Sequence, residues 1–145
     1  MKFYKFITEH TQTEIDGIIL NLSLIESEEV ERVFNSFRCI EYTNENGFEC
    51  LFAILNESKL RNLCSLYDRY LIRYQYFDIS KEVLFNLPIN TRFKNSNRVT
   101  VSHKIKSLIN DYRKQWLTTD IVLDKILELG IESLNDFDYS ILKSH

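Results

Sequence analysis

The stretch IDGIILNLSL, residues 15–24, decides how the chain is read. After Gly17 the apolar residues Ile18, Leu20, Leu22 and Leu24 fall at every second position, a period that predicts a strand. The next segment, SEEVERVFNSF (residues 27–37), changes period. Val30, Val33, Phe34 and Phe37 recur at i, i+3, i+4 and i+7, which predicts a helix. Ser27 stands where an N-cap is expected, and Glu28, Glu29 and Glu31 suit the positive end of the helix dipole.

Outward from there, RCIEYT and FECLFAIL read as two strands flanking Asn46-Gly47, a pair that tolerates the positive φ of a tight hairpin. Residues 56–71 form a second amphipathic helix, with Asn56 or Ser58 as cap and Leu60, Leu63, Cys64, Tyr67 and Leu71 as its stripe. Residues 72–80, IRYQYFDIS, are dense in aromatic and β-branched side chains and read as a strand. The order over residues 15–80 is βαββαβ. It predicts an α+β protein with a ferredoxin-like core, an antiparallel sheet carrying two helices on one face. Residues 3–8 would add an edge strand, giving a core over residues 1–88.

Residues 89–145 read as a connector followed by C-terminal helices packed on that core, Pro88 and KNSN being turn signals. Ile105, Leu108, Ile109, Tyr112 and Trp116 form one helical stripe. A further helix starts at Thr118 or Thr119 and ends at Gly130, and a last one starts at Ser133, with Asp136 completing a short capping box.

Charge is segregated along the chain. Residues 1–91 hold nine Lys/Arg and fourteen Asp/Glu, net −5. Residues 92–114 hold seven and one, net +6, and residues 115–145 hold two and six, net −4. Arg92, Lys94, Arg98, Lys104, Lys106, Arg113 and Lys114 therefore form a candidate face for an anionic partner, nucleic acid included. Tyr74 and Tyr76 share one face of their strand and are candidates for aromatic contact. Glu26, Glu28, Glu29 and Glu31 form a candidate acidic contact.

Other chemistries find little footing. His10, His103 and His145 stand far apart in sequence, and no nucleophile elbow, zincin helix or glycine-rich phosphate loop occurs. Asp120, Asp124 and Glu128 are i,i+4 acids that read as a solvated helix face. Cys39, Cys50 and Cys64 lack metal or disulfide spacing, so Cys50 and Cys64 read as small apolar core residues. No run of eighteen apolar residues occurs, and residues 1–10 do not resemble a secretion signal. A cytoplasmic protein with no metal and no cofactor is expected.

Two partial resemblances add to this. IILNLS, EEVERVFNSF and NGFECLFA fall where the RNA recognition motif has its first strand, first helix and third strand. That resemblance implies a topology more than an activity. The tail LDKILELGIESLNDFDYSIL is similar to short helical tails of many bacterial proteins, some rhomboid-type membrane proteins among them, and implies no activity.

The expectation is a non-catalytic binding or regulatory protein that acts on another protein, or on a second copy of itself. Bacterial or phage accessory, inhibitor and immunity proteins are of this kind. Nucleic-acid binding through residues 92–114 is the alternative, and a metal-dependent hydrolase a third reading.

Overall fold

The computed structural model describes residues 1–43, 48–89 and 103–144. The Asn46-Gly47 turn, Arg92, Lys94, Arg98 and His145 lie outside them. Strand β1 (Lys2–Thr11) is followed by helices α1 (Gln12–Leu20) and α2 (Leu24–Asn35), and by strands β2 (Arg38–Thr43) and β3 (Phe48–Leu55). Helix α3 (Glu57–Arg69), strand β4 (Tyr74–Asp78) and the short helix α4 (Ser80–Leu84) come next. Helices α5 (His103–Trp116), α6 (Thr119–Leu129) and α7 (Asp136–Lys143) close the order, with one 3-10 turn at Ile131–Ser133. The fold is α+β, with a four-stranded antiparallel sheet in the order β2-β3-β1-β4.

Residues 15–24 are not a strand. The segment is most of α1 and its exit, and Leu20 is a solvent-exposed helical residue. Local hydrogen bonds set the outcome. The Thr11 amide donates to Glu14 Oε2 at 2.7 Å, and the Glu14 amide donates back to Thr11 Oγ1 at 3.4 Å, closing a capping box. At the other end Asn21 Nδ2 donates to the Gly17 carbonyl at 2.8 Å. A second capping box, Ser23 with Glu26, starts α2 four residues before the expected cap Ser27.

The first strand is instead β1, expected at an edge and found between β3 and β4. Phe6 lies opposite both Leu51 and Tyr76. Its alternation is the seed of two cores. Phe3 faces one side, with Cys50, Phe52, Ile54 and Ile79, and packs against Val83 of α4 and Ile105, Leu108 and Tyr112 of α5. Tyr4 and Phe6 face the other, with Leu51, Ala53 and Leu55, and pack against Leu63 and Tyr67 of α3 and Phe34 of α2. Helices thus cover both faces of the sheet, and the C-terminal segment completes a core that residues 1–88 begin. Lys5 is buried on the first of these faces.

The chain leaves β4 through the short helix α4, whose Lys81 pairs with Glu128 of α6 at 2.7 Å. Gly130 takes the positive φ expected of it, +84°. The last helix is capped by Asn135 with Asp138, not by Ser133 with Asp136. Leu71, at φ +55° and 82% exposed, turns the chain from α3 toward β4.

Candidate functional site

The expected basic face loses one of its members to the interior. Arg113 is buried, and its Nη2 donates to Asp138 Oδ1 at 2.9 Å; the equally buried Lys125 donates through Nζ to Asp138 Oδ2 at 2.6 Å. Asp138 Oδ2 also accepts from the Asn135 amide at 3.0 Å, so one carboxylate unites α5, α6 and the cap of α7. The Phe137 ring lies 5.4 Å from the Arg113 guanidinium carbon. This buried cluster escaped sequence reading because its members are 12 to 25 residues apart. The Asn135–Asp138 capping spacing was its one readable sign. Lys104, Lys106 and Lys114 are exposed on α5, while Asp111 pairs with Arg38 of β2 at 2.8 Å.

Tyr74 and Tyr76 share a face as expected, but that face is already furnished. Phe6 stacks on Tyr76 with centroids 5.3 Å apart, and Tyr67 lies 5.1 Å from Tyr74. Phe52, an aromatic within the segment NGFECLFA, is buried in the core that α5 covers, so no base can stack on it there. IILNLS, set against that family's first strand, is helical up to Leu20. Among the described residues, no group of three His, Cys, Asp or Glu side chains is placed to hold a metal. Burial raises the thiol pKa of Cys39 to about 11, and also raises those of Cys50 and Cys64, which keeps them protonated.

The four acids expected to act together have divided roles. Glu26 is held in its capping box, and Glu29 accepts from Arg69 at 2.6 Å; Glu28 and Glu31 are exposed. Beside them the structure presents something composition did not reveal. Ile19, Leu20, Leu24 and Ile25, at the corner between α1 and α2, are each between 51 and 84% exposed. Four aliphatic side chains in seven residues, displayed to water, mark an interaction surface more often than an ordinary monomer surface. Residues 12–35 carry six acids and one base, so the corner has an acidic rim.

A cavity of about 190 Å³ opens at this corner, between α1, α2, α3 and the sheet. Its walls include Ile15, Ile19, Leu22, Phe34 and Tyr67, and its polar wall includes Glu41 and Glu49. Burial, and then the charges of Glu41 and Asp16, raise the Glu49 carboxyl from 4.5 to about 7. The spacing Ile15, Ile18, Ile19, Leu22 was the readable helical signal for this wall, masked by the competing alternation. Among the described residues no helix is long and apolar enough to cross a membrane. No protein-family model, no curated protein and no solved structure matches the chain.

Proposed function

We propose that the chain is a non-catalytic interaction module that binds another protein through the acid-rimmed apolar corner of α1 and α2. The carrying observation is the display of Ile19, Leu20, Leu24 and Ile25 on helices that both begin with full capping boxes. The corner is well formed yet leaves its aliphatic residues uncovered. Charge names the partner's chemistry: an apolar patch edged with Lys or Arg, one of which can lay its stem in the cavity and its head near Glu41 and Glu49. Such a module fits an accessory, inhibitor or immunity-like role, in the cytoplasm.

The same reading takes the topology as ferredoxin-like, with α1 and α2 counted as one crossover between β1 and β2. The strand order β2-β3-β1-β4 and its antiparallel pairings support that. Nucleic-acid binding is the weaker alternative, since Arg113 faces Asp138 instead of solvent.

The test compares the wild-type chain with Leu20→Ser/Leu24→Ser as baits in lysate. Both side chains are exposed, so the melting temperature should hold while a salt-sensitive partner is lost. Equal capture by both baits would end the proposal.

A further inference from the structure

Lys5 is 2% exposed at the centre of an apolar sheet face. It lies directly opposite Phe52 on β3 and Phe77 on β4, with Phe3 and Ile7 two residues away on its own strand. Its Nζ is 6.0 Å from the Phe52 ring centroid, and among the described residues it has no hydrogen bond and no ion pair. Lys125 shows what the same side chain does here when its role is architectural: it meets a carboxylate at 2.6 Å. Lys5 has no such neighbour. Asp78 is occupied by Lys2 at 2.7 Å.

A cavity of about 540 Å³ reaches Lys5, walled by Ile7, Phe77, Ile79 and Pro88 and carrying Asp78 and Glu82. Burial lowers the Lys5 pKa, with Cys50 opposing, which favours the neutral, nucleophilic amine more than in an exposed lysine. Among the described residues, the titratable groups at Lys5 and its cavity are Cys50 from β3, Tyr76 and Asp78 from β4 and Glu82 from α4. The α5 residues packed on this face, Ile105, Leu108 and Tyr112, bring one buried phenol. Carboxylates at the cavity disfavour an anionic ligand, and apolar walls favour a carbon skeleton.

We propose that the cavity at Lys5 is a covalent binding site for a small, uncharged aldehyde with an apolar body. The Nζ lone pair forms the N–C bond to the carbonyl carbon. The carbonyl π pair moves to oxygen, which takes up a proton, and nitrogen releases one, leaving a carbinolamine. The C–O bond then breaks as water departs with one added proton, and nitrogen loses its remaining proton, leaving the imine. Glu82, which lines the cavity, is the carboxylate that would relay these protons. The step needs no oxidant or reductant, and it does not depend on the α1–α2 corner.

The full chain is incubated with butanal and sodium cyanoborohydride at pH 7, which reduces the imine to a stable amine, and adducts are located by peptide mapping. Lys5 should be modified faster than exposed lysines such as Lys81, Lys106 and Lys143, since burial lowers its pKa. Lys5→Met, which keeps length and apolar character, should lose that adduct and keep the others. Mapping of the wild type decides the matter even if the variant does not fold. Modification spread evenly over the lysines, or sparing Lys5, overturns the proposal. Glyoxylate, which carries a charge, should label Lys5 more slowly than butanal; faster labelling would overturn the choice of an uncharged ligand.

Discussion

Asp138 shows what one residue can hold. It neutralises one of two buried cations and caps a helix, so Asp138→Ala leaves Arg113 and Lys125 without their anion. Breaking a buried pair in this way costs about 3–5 kcal/mol, and urea denaturation should show a loss of that size. Replacing all three members with apolar residues, Arg113→Met/Lys125→Met/Asp138→Leu, should cost far less or stabilise, because no charge is then left desolvated. Glu49 makes a second prediction. Its carboxyl titrates near 7 in the fold against an ordinary 4.5, so the folded chain holds the proton more tightly than the unfolded one. Stability should therefore fall as pH rises from about 4.5 to about 7 and stay lowered above that. Melting temperatures between pH 5 and 8 should drop more for the wild type than for Glu49→Gln.

At the scale of elements, the sequence was legible where one period stood alone. The amphipathic stripe of α3 as far as Tyr67, the strands on either side of residues 44–47 and the end of α6 at Gly130 are present, while Leu71, read as the last member of that stripe, lies beyond the helix and is exposed. It misled where two periods overlapped. Residues 15–24 satisfy a strand alternation through Ile18, Leu20, Leu22 and Leu24, and a helical stripe through Ile15, Ile18, Ile19 and Leu22. The spacing of Thr11 to Glu14 and of Ser23 to Glu26 broke the tie, since each satisfies the otherwise unpaired amides of a helix start. Ser23→Ala should accordingly cost about 1 kcal/mol, whereas Ser27→Ala, at the position first read as a cap, should be near neutral. Chemical denaturation of the two variants separates them. The corner and its cavity were illegible for the same reason: once residues 15–24 are drawn as a strand, Ile19 and Leu20 point to opposite faces and no patch forms.

For the whole molecule, helix α5 from residues 89–145 shares one core with the sheet that residues 1–88 build. Phe3, Phe52 and Ile54 are covered by Ile105, Leu108 and Tyr112, so a fragment ending at residue 88 would show water one whole face of its sheet. That fragment should fail to unfold cooperatively in urea, and a sharp transition near that of the full chain would contradict the shared core. The basic segment belongs to the same scale. A labelled RNA or DNA should bind weakly, since the rest of the chain is acidic, and a steep log–log salt slope with micromolar affinity would restore the nucleic-acid reading. The stripe of the covering helix was readable, but the buried cations were not, because their pairing depends on which faces meet across long stretches of chain.

Leu71 leaves a last consequence. A left-handed backbone costs an ordinary residue roughly 1–2 kcal/mol, and glycine forfeits only about half of that relief through its looser unfolded state. Leu71→Gly should thus toughen the protein slightly while stripping an aliphatic group from water. A variant that melts later yet performs worse in the cell would reveal a side chain kept for an outside encounter, at the expense of its own host's comfort.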